Sequence, residues 1–337
     1  MPPSELTVRG IYRYPIKGLS PQPVHAIELE AGKPFPFDRV FALVRPGLPM
    51  DPDAPRWAKK GMFLMLMLDE ALARVMTRLD PDTLELSIHP PLASEHGPSN
   101  EYLLRADLST HNGRQAVEAF FQRLVPKLTA APRLVHAPAS HFMDKPDPVL
   151  SCINLATLRS LESEWGQALH PLRFRANFYI DGAPPWAELS WVGSELQLGD
   201  VSFRVDRRNG RCGATNVNPV SAERDLDIPG ALRAHFGHKD LGVYLVALTS
   251  GRIAVGDPVR VQDARVAAEQ ELPLAVQPLA EQGVSAGAGR FICGGCYYVY
   301  VEGQPGPEGP LGAFGALEAG WVCPDCGSTA EGFRPHR

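Results

Sequence analysis

Leu196-Gln-Leu-Gly-Asp-Val-Ser-Phe-Arg-Val205 alternates or runs apolar in the manner of β-strands, whose successive side chains face opposite sides of a sheet. The same patterning covers residues 6–15, 40–45 and 241–248. The 31 glycines and 33 prolines are spread at spacings that suit many short strands joined by turns, so the chain reads as mostly β with a few helices. Thr249-Ser250-Gly251, between two apolar runs, is expected to turn a hairpin, and Val255-Gly-Asp-Pro-Val259 to turn at a strand edge. Helical spacing is confined to fewer places. Val117, Phe120, Phe121 and Leu124 form one stripe, and Leu155, Leu158, Leu161 and Trp165 form another behind Asn154, a good N-cap residue. Pro229 to Phe236 reads as a short helix that Gly237 ends.

The composition narrows the function. With 337 residues, 44% of them hydrophobic, the chain has room for two or three domains with real cores. A formal net charge of −5 lacks the basic surplus of a nucleic-acid binder. The longest apolar run, Met62 to Leu68, is seven residues, against the ~20 a membrane helix needs. Met62, Met65 and Met67 within it are expected to be core filler. Met1 to Gly10 shows no secretory pattern, so a cytoplasmic protein with neither a membrane nor a nucleic-acid partner is expected. None of the ten histidines has a ligand spacing, and none is assigned to metal.

Four of the six cysteines fall in the tail as two C-x-x-C pairs, Cys293/Cys296 and Cys323/Cys326. Two such turns offer four thiolates to one tetrahedral ion, zinc or iron. Residues 263–289 mix Ala, Glu, Gln, Gly and Pro without a core period and read as a linker, which makes the tail a separate module. Cys152, in the apolar stretch Val149 to Asn154, reads as a small buried hydrophobe.

The tail resembles rubredoxin over residues 291–333. Phe291-Ile-Cys-Gly-Gly-Cys-Tyr-Tyr-Val-Tyr300 and Trp321-Val-Cys-Pro-Asp-Cys-Gly327 carry the cysteines, and Tyr298, Tyr300, Phe314, Trp321 and Phe333 match the aromatic cluster around that family's iron. The resemblance implies one iron held by Cys293, Cys296, Cys323 and Cys326, although zinc would fit the same sulfurs. A fully thiolate-ligated iron has no open position, so it passes single electrons.

The rest of the chain resembles the MOSC proteins with an N-terminal β-barrel, the group that includes the mitochondrial amidoxime-reducing component. The carriers are Tyr12-Arg-Tyr-Pro-Ile-Lys-Gly18, Phe37-Asp-Arg39, Arg173-Phe-Arg-Ala-Asn177, Ile180-Asp-Gly182 with Trp191, and Arg211-Cys-Gly-Ala-Thr-Asn-Val-Asn-Pro219 running on to Glu223-Arg-Asp225. Gly18 stands where the family commonly has Ser, so a contact there must come from backbone. The resemblance implies an N-terminal β-barrel domain at 1–130, a MOSC β-barrel domain at 131–262, the linker at 263–289 and a rubredoxin-like domain at 290–337. It also implies a molybdenum cofactor whose metal is bound by Cys212, the catalytic residue.

Cofactor contacts are expected from Lys17, Gly18, Arg39, Ser151, Asn154, Arg175, Asn177 and Arg211 as well as Cys212. These types suit the ligand. Lysine and the planar arginine fork hold phosphate, and an amide reads pterin or phosphate edges. Arg207, Arg208 and Arg211 near Cys212 are expected to favour its thiolate. Ser151 and Asn154 lie where a helix start would offer backbone N–H groups to an anion.

The function these features imply is reduction of small N-hydroxylated or N-oxygenated substrates by oxygen-atom transfer at molybdenum. The tail would supply the electrons, fed by an external NAD(P)H-dependent reductase. Two other functions fit the residues: a sulfur carrier in cofactor maturation with a persulfide on Cys212, and a zinc-ribbon docking module.

Overall fold

The computed structural model describes residues 5–91, 102–262, 289–293, 298–303, 305–306, 309–323 and 329–335. It is mostly β, with three α-helices among the described residues. The first strands are β1 (Thr7–Arg13), β2 (Gln22–Val24), β3 (Ala26–Leu29), β4 (Phe41–Val44), β5 (Met76–Leu79), β6 (Glu85–His89), β7 (Leu104–Asp107) and β8 (Arg133–His136). Then follow β9 (Leu150–Asn154), β10 (Phe178–Asp181), β11 (Glu195–Leu198), β12 (Val201–Gly210), β13 (Asp240–Ala247), β14 (Gly251–Ala254) and β15 (Val259–Gln262).

Eight strands form one sheet in the order β15-β11-β12-β13-β9-β10-β1-β2, antiparallel except where β10 lies parallel to β9. The smaller sheets are β5-β6-β7, β4-β8 and β3-β14. Among the described residues no sheet closes into a barrel, so the two barrels implied by the sequence are not found; the large sheet ends at β15 and β2. Pairing also crosses the boundary expected at 130, since β1 adds to β10, β3 to β14 and β8 to β4. The expected hairpin at Thr249-Ser250-Gly251 is a transfer between sheets. Thr249 Oγ1 accepts from the Ser202 N–H (2.9 Å) and Ser250 Oγ from that of Ala31 (3.0 Å), which sends β14 to β3 and away from β13.

The helices α1 (His111–Leu124), α2 (Leu155–Trp165) and α3 (Ile228–Phe236) begin and end as their residues dictate. Thr110, Asn154 and Asp227 accept the first N–H groups, and Gly166 (φ 64°) and Gly237 (φ 71°) supply left-handed ends to α2 and α3. Val117 and Phe121 of α1 pack with Phe41, Leu64 and Leu134 in one core. A second core under the large sheet joins Val8, Phe178, Phe203 and Leu245.

In the tail, residues 290–293 pair antiparallel with both 299–301 and 333–335. Tyr300, Phe314, Trp321 and Phe333 cluster beside this sheet, with neighbouring ring centroids 5.2 to 6.0 Å apart. Tyr298 meets Phe333 at 6.5 Å. Apart from Gly289, the expected linker lies outside the described residues.

Candidate functional site

A cavity of about 130 Å³ brings together Lys17, Gly18, Arg39, Ser151, Arg175, Arg211 and Cys212, which come from distant parts of the chain. Lys60, Arg173, Asp144 and Tyr244 also face it, giving the wall a positive surplus.

The turn after β1 presents Lys17 and Gly18. Lys17 N–H donates to Phe41 O (2.8 Å), and its buried ammonium donates to Phe142 O (2.7 Å) and Asp144 Oδ1 (2.5 Å). Burial lowers the Lys17 pKa, with Asp144 opposing the shift. Burial alone would raise Asp144, but Lys17 overrides it and holds the carboxyl well below its usual range. Gly18 has φ +83°, and a Cβ there would stand 2.7 Å from Leu64 O, so the turn admits only glycine at this spacing.

Arg39 and Arg175 both hold left-handed backbone, at φ 52° and 54°, a conformation that non-glycine residues adopt at a cost and that collects at functional sites. Both guanidiniums lie against the buried Tyr14 ring, 4.2 and 4.4 Å from its centroid. Arg39 Nη1 pairs with Asp38 Oδ2 (2.5 Å) and Nη2 donates to Arg175 O (3.1 Å). Arg175 Nη1 donates to Leu19 O (2.7 Å), a carbonyl, and no carboxylate pairs with it among the described residues. Burial, together with the charge of Arg39, pushes Arg175 down to about 10.

Cys212 follows β12, whose ladder with β13 shifts register at Val205/Arg207 and again at Arg208/Gly210. Such bulges bend a strand and end its pairing, here just before the cysteine. The Cys212 carbonyl accepts from Thr215 N–H (3.0 Å) and Oγ1 (2.9 Å), leaving the half-buried thiol at the cavity wall. Arg224 ties this loop to the N-terminal half, donating to Gly213 O (3.1 Å), Leu66 O (3.0 Å) and Met67 O (2.7 Å). Arg173 anchors its other side through Asp225 Oδ2 (2.5 Å) and the carbonyls of Thr215 and Asn216.

Several expected site residues are occupied otherwise. Asn177 and Asn154 do not line the cavity. Asn177 Oδ1 accepts from Ser151 N–H (3.0 Å) and Oγ (2.9 Å), and its amide donates to Tyr12 O (3.2 Å), stapling β9 to β1. Asn154 caps α2 and donates to Pro184 O (2.8 Å). Arg211 reaches the cavity, but its donors go to the carbonyls of Leu241 and Phe174. Arg207 pairs with Asp206 and Asp147 and Arg208 donates to Leu189 O, so the three arginines near Cys212 in sequence do not gather around it. The bulged, alternating β12 sends Arg207 and Arg208 in different directions, and Arg211 lies just past the strand's end.

Met65 and Met67 are buried in an apolar cluster, as core filler would be, and they also border the site. They line the cavity and pack with Cys293 and Cys323 of the tail, while Leu68, Cys212, Ala214, Tyr298 and Phe333 flank the cluster. Met62 remains filler in a separate core with Phe63 and Phe142. Tyr14, Asp144, Arg224, Asp225 and the two methionines were missed as site residues; Tyr14 had a signal as part of the motif at residues 12–18, and Arg224 and Asp225 had one as the continuation of the cysteine motif. Cys152 is buried as expected, and burial drives its pKa far up. Among the described residues no three His, Cys, Asp or Glu side chains converge as a metal site; Cys296 and Cys326 lie outside them. No described helix is long and apolar enough to cross a membrane.

Comparison with known proteins matches residues 139–260 to the MOSC domain. Over 99 residues the chain is 33% identical to the molybdenum cofactor sulfurase of Drosophila mojavensis, covering 29% of this chain and 12% of that protein. Over 115 residues it is 30% identical to that of Drosophila grimshawi, covering 32% and 15%. Only a small fraction of those relatives' length is therefore spanned. Among solved structures, the YUAD protein of Bacillus subtilis aligns with a TM-score of 0.34 and 11% identity, covering 76% of this chain and 94% of that one. YiiM from Geobacillus stearothermophilus aligns with a TM-score of 0.29 and 20% identity, covering 35% and 56%. Cys212, Arg175 and Ser151 all fall inside the matched span, and residues 139–260 of this chain are a MOSC domain.

Proposed function

We propose that this chain is a molybdenum-cofactor-dependent oxidoreductase that reduces small N-hydroxylated or N-oxygenated compounds, with its tail as electron donor. The observation that carries this reading is the meeting of the Cys212 thiol with Lys17, Arg39 and Arg175 in one cavity. The donor set fits the cofactor. A soft sulfur suits molybdenum, and the half-buried Arg175 guanidinium at the cavity wall, which pairs with no carboxylate among the described residues, suits an anion such as the pterin phosphate. Lys17, Arg39, Arg175 and the Gly18 backbone would hold the phosphate, Ser151 would meet the pterin, and Cys212 would bind the metal.

When bound, that group supplies an oxygen acceptor that cycles between oxidation states. The overall change is R–NH–OH + 2 e⁻ + 2 H⁺ → R–NH₂ + H₂O. The chain's own share is positioning. Tyr14 gives two guanidiniums a common aromatic support, and Arg224 and Arg173 fix the loop that presents the thiol. In the tail, Cys293 and Cys323 are buried in one cluster beside an aromatic core and, with Cys296 and Cys326, would hold one iron (zinc would fit the same sulfurs). Electrons would enter from an NAD(P)H-dependent reductase, in the cytoplasm.

The test is metal analysis combined with Cys212→Ser. Stoichiometric molybdenum and iron, with N-hydroxylamine reduction lost in the variant, is expected. Full turnover by Cys212→Ser would falsify the reading. The relatives named molybdenum cofactor sulfurase favour a second reading, a persulfide carrier; sulfane sulfur on Cys212 without molybdenum is its signature.

A further inference from the structure

The same cluster that joins the cavity wall to the tail assigns a route for the electrons. Met65 and Met67 are 6% and 4% exposed, and what covers them includes Cys293, Cys323, Tyr298 and Phe333. Hydrogen bonds hold the turn that carries them at several points. Leu68 N–H donates to Met65 O (3.0 Å), Asp69 accepts from Met65 N–H (3.2 Å) and pairs with Arg45, and Arg224 grips the Leu66 and Met67 carbonyls. Arg224 at the same time holds Gly213, next to Cys212. One arginine thus locks the seat of the tail to the loop of the cavity thiol.

We propose that the Met65–Leu68 turn is the electron-entry dock of this protein: the tail delivers electrons from this seated position, across the methionines to the Cys212 wall, without leaving it. The inference rests on the reading of the cavity and tail given above. Its physical ground is that Cys293 and Cys323 of the tail form one packed cluster with the methionines, and Cys212 packs against it. A tether alone would give high effective concentration; a preformed seat removes the search as well. Each substrate molecule takes two single-electron deliveries from the tail and two protons from water, and the reductant is NAD(P)H through its flavin reductase, or dithionite.

The experiment uses the full-length, metal-loaded chain with Leu68→Glu and Tyr298→Glu, two positions beside the cluster that do not line the cavity. Peroxide oxidation of Met65 and Met67, followed by peptide mass spectrometry, reports the seat independently of turnover. In both variants oxidation is expected to accelerate about tenfold. Reductase-driven reduction of an N-hydroxylamine is expected to fall about tenfold, while turnover driven by a small viologen, which needs no tail, is retained. Wild-type methionines that oxidise as fast as those of the variants would overturn the dock, as would reductase-driven turnover that persists once the methionines are exposed. Absence of viologen-driven turnover in the wild type would instead sink the oxidoreductase reading, with methionine protection still reporting the seat.

Discussion

Replacing Glu188 with Gln tests the electrostatics of the core behind the cavity. Glu188 is fully buried, and burial raises its pKa from 4.5 to about 7. Both carboxyl oxygens lie 2.9 Å from Thr157 Oγ1, which also accepts from Trp186 N–H at 2.8 Å. The Thr157 and Asn154 side chains hydrogen-bond the carboxyl and favour its charged form, but burial outweighs both and keeps the group neutral up to about pH 7. A folded-state pKa above the unfolded one means that the stabilisation is full below pH 4.5 and is lost as the pH rises through about 7. The shift corresponds to about 3 kcal/mol at roughly 1.4 kcal/mol per pH unit. Glu188→Gln removes the ionisation while keeping a donor and an acceptor. Urea denaturation at pH 5 and pH 8 is therefore expected to show the wild type losing about 2–3 kcal/mol relative to the variant across that interval, part of the full effect being already lost at pH 5. Parallel pH profiles for the two proteins would refute a neutral, buried Glu188.

Two further substitutions probe the scaffold of the site. Gly18→Ala meets both a left-handed φ and the Leu64 carbonyl, so it is expected to lower stability by about 2 kcal/mol or more; an unchanged urea midpoint would show that the turn is not so tight. Asp225→Asn deprives Arg173, whose side chain is 2% exposed, of its carboxylate; because Asp225 is itself 34% exposed, the expected cost is about 1–2 kcal/mol rather than the ~3–5 of a fully buried pair. The loosened loop should let iodoacetamide alkylate Cys212 faster, and an unaltered alkylation rate in a destabilised variant would remove Arg173 from thiol positioning.

The local chemistry of this protein was legible in its sequence. Alternation marked β1, β12 and β13, and a cap residue and a closing glycine marked α2 and α3, because these signals act over a few residues through side-chain direction and backbone freedom. Motif order brought Lys17, Arg39, Arg175 and Cys212 into one expectation, and they do share a cavity. Partnership was not legible. Asn177 looked like a ligand contact and is a staple, since an amide serves backbone and ligand with the same atoms and only distance decides. Of the arginines near Cys212 in sequence, Arg207 and Arg208 turn elsewhere from the bulged β12, and Arg211, just past it, stays at the cavity but spends its donors on carbonyls. Met65 and Met67 read as filler because an apolar run carries no sign of what it faces; the fold turned them toward the cavity and set the tail against them. Short-range stereochemistry wrote the elements, whereas contacts between residues 65, 212, 293 and 323 exist only where the folded chain closes on itself.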